Sequence, residues 1–302
     1  MSVIDAASGP RTWRGIIVAL AAAAAFSLAN MSAAVAHDGG ATPLTVAAVR
    51  YLVPAVALVI WLRLSGGSLR MPRRDAAVAV GLGIVTAFYT WALLKSFALI
   101  PFALAVLVFY LFPLLAAVIV AVLGWEKLAW RTAAGILVAI AGLALALNVH
   151  GGHLDPQGVL LAGLAAVGLA IVIAVSSRVF GTGDARPLTL YMAASASVLL
   201  FVLCAVSWDF VLPQTPPGWV GFIASSALYA FAMIAFYIAV SMIGPVLSSV
   251  LSYADAVISA GLGAVVLGQM LSSVQVAGIT LVIVALIGAT VQRSATGRRK
   301  TN

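Results

Sequence analysis

The sequence predicts an all-α integral membrane protein of ten transmembrane helices, arranged as two inverted repeats of five. Three observations lead there: an overwhelmingly apolar composition, ten spanning windows with one-sided charge, and landmarks that recur in constant register along the chain. Apolar residues are 64% of the 302 residues and charged residues only 8%, whereas soluble chains run at about 45–50% and 25%. One cysteine, Cys204, lies in an apolar run, which excludes an intrachain disulfide or a cysteine metal site.

A helix needs about 20 mostly apolar residues to cross a hydrocarbon core of about 30 Å. The first window, 13–36, follows Arg11 and Arg14 and stops at "HDGGATP" (37–43). Its "AVA" at 34–36 resembles a signal-peptide cleavage site, but the apolar region is longer than the usual core of about 7–15 residues, so it is read as a span. Windows 43–63 and 75–99 flank "SGGSLRMPRRD" (65–75), and Pro101 opens 102–123, which is followed by 130–149. "HGGHLDPQ" (150–157) precedes 157–178, "GTGDARP" (181–187) precedes 187–208, and "PQTPPG" (213–218) leads into 217–240. Pro245 opens 245–267, and 272–292 is the last window. Gly, Pro, Asn and Asp clusters are the expected punctuation between such elements.

The net charge of +8 suggests nucleic acid in a soluble protein, yet here it sorts by side of the membrane. With the amino terminus in the cytoplasm, 14 of the 16 Lys and Arg residues fall on cytoplasmic connections; Arg50 and Lys95 lie within spans, and the other side has none. This is the positive-inside pattern. It places both termini in the cytoplasm of a cell-membrane protein and leaves no nucleic-acid partner.

The repeat appears on self-comparison. Pro101 and Pro245 are 144 residues apart, Leu123-Gly124 and Leu267-Gly268 are 144 apart, and Gly135 and Gly278 are 143 apart. A unit of five spans is odd, so its second copy is upside down, the plan of many secondary transporters. The halves are 1–150 and 151–302.

These residues carry a resemblance. "AVLVFYLFPLLAAVIVAVLGWEKL" in the first half and "LSSVLSYADAVISAGLGAVVLGQML" in the second resemble the EamA domains of the drug/metabolite transporter superfamily. Within it the chain is similar to aromatic amino-acid exporters of the YddG type. Pro113 and Glu126 match the family's first-half proline and "GE". In the second half Asp255 matches the acidic position of "SYLEP", while Ala256 replaces the proline and Gln269 the second glutamate. The resemblance implies export of amino acids, aromatic ones among them, by alternating access of two halves rocking about a central cavity.

Few polar residues within the spans are available for such work. Asp255 sits midway along an apolar segment, where a carboxylate is costly and faces inward. Ser248, Ser252, Asp255, Ser259 and Gly263 share one helical stripe. Asp255 reads either as a substrate-facing or proton-accepting group, or as a hydrogen-bonded strut that caps an interrupted neighbour or pairs with another span. Arg50 is the eighth residue of the second span and can hold a carboxylate bidentately, that of a substrate or of an internal acid. Lys95 is long enough to snorkel. Phe88, Trp91 and Lys95 share a face of the third span, as do Tyr229 and Phe236 on the eighth, and Tyr110 and Tyr253 are repeat-equivalent. These aromatics read either as packing or as the lining of a cavity for a planar apolar solute. Asn30 is a cavity contact or a helix-to-helix bond. Trp13, Trp61, Trp208 and Trp219 are interface anchors.

No cofactor or metal is expected: His37, His150 and His153 lie in loops without a ligand spacing, and no enzyme motif occurs. The expected partners are a small-molecule substrate and membrane lipid, with the monomer as the working unit. The alternative is a proton-coupled multidrug or organic-cation exporter. Such exchange needs a shared intramembrane acid, and only Asp255 could serve. No ring of charged or carbonyl-exposing residues favours a channel.

Overall fold

In lipid the backbone has no water to bond, so an apolar chain satisfies its amides within helices. The computed structural model describes residues 10–125, 134, 137–138, 141–142, 145, 155–180, 185–252, 254–266, 272–274, 276–281 and 283–284, and among them every regular element is helical. The helices are α1 (Pro10–Asp38), α2 (Pro43–Leu64), α3 (Arg73–Ser96), α4 (Phe102–Phe109), α5 (Phe112–Val122), α6 (Pro156–Phe180), α7 (Ala185–Ser207), α8 (Pro216–Ser252) and α9 (Ala254–Val266). Seven stretches of these are long and apolar enough to cross a membrane. Most of the windows 130–149 and 272–292 lies outside the described residues.

Local chemistry sets the ends. Pro43 starts α2 behind Thr42, whose hydroxyl accepts from the Thr45 amide. α2 and α5 stop alike: Gly66 and Gly124 take φ of +66° and +68°. That geometry lets the Gly67 and Trp125 amides reach back to the Leu62 and Val120 carbonyls, closing both helices with a Schellman turn.

Two spans depart from the sequence expectation. Window 102–123 is not one helix: it breaks at Tyr110 and Leu111, between α4 and α5. Pro113 has no N–H to offer the Phe109 carbonyl, so the ladder ends on the Tyr110–Val106 bond and restarts from Leu111. Windows 217–240 and 245–267 are joined by continuous helical backbone, α8 running over 37 residues to Ser252, about 55 Å if straight. It is not straight. Gly39 lies against Gly218, Phe26 against Tyr229, and Gly15 against Met242 and Ile243, so α8 runs antiparallel beside α1 to this point. Yet Asp255 bonds Ser27, back at the level of Tyr229. The chain therefore doubles back next to Pro245, an imino acid that disrupts helix interiors.

The helices interleave. α1 packs along α8, α2 on α7 and α8, α3 between α6 and α7, α4 and α5 on α6, and α9 on α1 and α4. Every one of these pairs joins the first half of the chain to the second. Small residues permit the approach: a Cβ on Gly221 would lie 2.6 Å from the Ser32 carbonyl oxygen, and one on Gly83 2.6 Å from that of Met192. On α6, a Cβ at Gly168 would lie 2.6 Å from Tyr89 Cβ, whereas one at Gly163 meets nothing within 4 Å.

Those two glycines provide a matched test. Gly168→Ala should cost about 1–3 kcal/mol through overpacking, while Gly163→Ala should be neutral or up to about 1 kcal/mol stabilising from helix propensity. Thermal unfolding in detergent measures both, and equal effects would contradict this packing of α6 on α3.

Candidate functional site

Asp255 lies on α9. It is buried, at 5% exposure, and three hydroxyls converge on it. Ser27 Oγ of α1 bonds Asp255 Oδ1 and is 2.8 Å from its carbonyl oxygen. Ser259, one turn along α9, donates to Oδ1 at 3.0 Å and lies 3.1 Å from Ser27 Oγ. Tyr110, at the α4–α5 break, donates its phenol to Oδ2. The carboxylate thus joins the start of α9, the interruption of the fourth window and the middle of α1.

One turn beyond Ser27 on the same face of α1, Asn30 Oδ1 accepts from Arg50 Nη2 at 2.7 Å. The Arg50 guanidinium also stands 4.0 Å over the ring centroid of Tyr229, a cation–π contact. Tyr229 meets Phe26 and Tyr51 edge to face, at 5.5 and 5.4 Å. The Tyr51 hydroxyl is a node: it lies 2.8 Å from Thr90, 3.0 Å from Tyr229 and 3.4 Å from Tyr89. Tyr89 stacks on Phe109 at 6.2 Å, and Phe109 meets Tyr110 edge to face at 6.1 Å. With Tyr110 the contacts return to Asp255. This closed belt of polar and aromatic side chains draws on α1, α2, α3, α4, α8 and α9.

The belt gathers five of the residues singled out in the sequence besides Asp255: Asn30, Arg50, Tyr110, Tyr229 and Ser259. Trp91 is half-buried beside it. Phe88, 49% exposed, and exposed Lys95 lie outside it on α3, and half-buried Phe236 is two turns along α8 from Tyr229. The side chains of Ser248 and Ser252, and Tyr253 altogether, lie outside the described residues, as do Glu126 and Gln269. Of the proposed stripe, Asp255, Ser259 and Gly263 lie buried on α9. Sequence reasoning passed over Ser27, Tyr51, Tyr89 and Thr90. A mid-span tyrosine needs a hydroxyl partner, and that rule applied to Tyr51 and Tyr89 points to both.

A model of the EamA-like transporter family matches residues 13–148 and, a second time, residues 156–291. The chain belongs to this family. From 13 to 156 and from 148 to 291 the offset is 143 residues, the spacing that relates Tyr110 to Tyr253 and Gly135 to Gly278. An EamA chain of this kind is a multi-pass membrane protein of the drug/metabolite transporter superfamily. No curated protein matches it. Among solved structures that do, one crystal structure is 24% identical with a TM-score of 0.64, over 92% of this chain and 97% of its own. At that identity the likeness concerns the fold alone.

The three hydroxyl bonds to Asp255 make a direct prediction. Tyr110→Phe and Ser27→Ala should each destabilise by about 1–3 kcal/mol, because a buried carboxylate oxygen loses a donor. Ser207→Ala should change stability by less than about 0.5 kcal/mol, since that exposed hydroxyl bonds only its own helix, at the Leu203 carbonyl. Unfolding in detergent measures all three, and a silent Tyr110→Phe would contradict the tie.

Proposed function

We propose that this EamA protein exports amino acids, aromatic and other neutral ones, from the cytoplasm by alternating access. The observation that carries the reading is the belt: a mid-membrane ring with one cation, one carboxylate and six tyrosine or phenylalanine rings, set against the break between α4 and α5. Interrupted helices at the meeting of two repeats are where carriers of this plan hold solutes, and aromatic rings suit planar side chains. In this reading the chain has ten transmembrane helices, divided into inverted halves at 1–150 and 151–302, with both termini cytoplasmic and a monomer as the working unit.

The interleaved packing alters the mechanism first expected. Two five-helix halves rocking as separate bodies would have to part α1 from α8, α2 from α7 and α3 from α6. The moving units we propose are cross-half sets: α1, α2, α7 and α8 on one side, and α3 to α6 with α9 on the other, sliding along the belt. Asp255, bonded on both oxygens by internal donors, fits a structural tie better than a proton site competed for by a cation. That favours weakly coupled amino-acid export over the proton-coupled multidrug or organic-cation alternative.

Reconstituted protein in liposomes loaded with labelled amino acids tests the proposal. Saturable efflux of phenylalanine or tryptophan that persists after an ionophore collapses the proton gradient is the expected result. Efflux of organic cations alone, abolished by the ionophore, would replace this reading with the alternative.

A further inference from the structure

We propose that Arg50 is the docking point for the carboxylate of the transported solute, with Tyr229 as its platform and Asn30 as the residue that orients it. The inference rests on the export reading and names the chemical group recognised. Arg50 is only 3% exposed, and a buried cation in a membrane bundle demands an anionic or strongly polar partner. Among the described residues it has none that is anionic. Its hydrogen bond goes to the neutral amide oxygen of Asn30, its face is on Tyr229, and Nε has no acceptor. Of five N–H donors in a planar fork, one on Nη2 bonds Asn30, and that on Nε has no acceptor among the described residues.

The internal acid, Asp255, is committed elsewhere. Asp255 takes hydroxyl bonds from Ser27, Ser259 and Tyr110 and forms no ion pair with Arg50. Two more buried polar atoms lack partners, Thr86 Oγ1 and Ser225 Oγ. Thr86 is one turn from Thr90 on α3, and Ser225 one turn from Tyr229 on α8, so both border the same hydroxyl node. The Arg50 Nε–H is thus buried in a guanidinium whose fork matches a carboxylate bidentately. Ser27 and Asn30, one turn apart on α1, hold the negative and positive poles side by side. A zwitterion with its carboxylate on Arg50 leaves its ammonium in the field of Asp255.

Binding in detergent tests this with three probes: L-phenylalanine, L-phenylalaninamide, which lacks the anionic group, and phenylacetate, which lacks the ammonium. Wild type should bind phenylalanine about 30-fold or more tighter than the amide, the loss expected when a buried charged partner is removed. Arg50→Lys keeps the charge without the fork and should lose most of that preference. Asn30→Asp places a carboxylate where the amide now lies 2.7 Å from Nη2; it should raise the melting temperature and abolish the preference by occupying Arg50 internally. Equal binding of acid and amide by wild type, or an unchanged preference in Asn30→Asp, would overturn the docking role and leave amino-acid export standing. Arg50-dependent binding of phenylacetate without phenylalanine would keep the docking role and remove the amino-acid reading. No binding of any probe would overturn the docking role, with efflux still deciding the transport reading.

Discussion

A carboxylate in the middle of a membrane protein must be paired, and the arrangement of this one organises the bundle around it. Water cannot solvate it there, and lipid offers no donor. Asp255 finds three hydroxyls, from three separate segments of chain. To deliver them, α1 must pass with Ser27 at the right height, the fourth window must break so that Tyr110 faces α9, and α9 must run beside that break. The fold-back of α8 near Pro245 lets Asp255 return to the level of Ser27. Each of these is a local distortion of regular helix, and each ends at the same carboxylate.

The second constraint is close approach. Glycines and alanines on α1 and α8 let backbones touch, which helices in lipid exploit because they have no hydrophobic effect to drive them together. This contact, and the packing of α3 on α6 and α7, crosses between the two EamA domains. Duplication has thus produced a single interlocked bundle. Tyr89 shows how packing serves the site: Gly168 admits its Cβ, and its hydroxyl then reaches the Tyr51 node.

Much of this was legible in the sequence. Apolar windows identify membrane helices by length alone, and the constant offset of Pro, Leu-Gly and Gly landmarks exposed a repeat that the double match to one family model reproduces in the same register. Asp255, Arg50 and Asn30 stood out because polar groups in a span always need an explanation. The break at Tyr110 did not, since Pro113 follows it and window hydropathy is blind to a lost hydrogen bond. The continuity of α8 through Pro245 was equally hidden, because proline marks a disturbance without saying whether the ladder stops or bends. Partners were the least legible: nothing in residue types assigns Ser27 to a carboxylate 228 positions away. Phe88 and Tyr89 are neighbours in sequence, but only the packing of α3 decides which one turns into the belt.

The claim on which all else depends is that Asp255 and Tyr110 bind one another at the break of the fourth window. A double-mutant cycle in unfolding free energy, with Tyr110→Phe, Asp255→Asn and the pair, measures that bond directly. The account predicts a coupling of about 0.5–3 kcal/mol, as for residues in one hydrogen-bonded network. Strict additivity of the two substitutions would contradict it and separate Asp255 from the break at Tyr110.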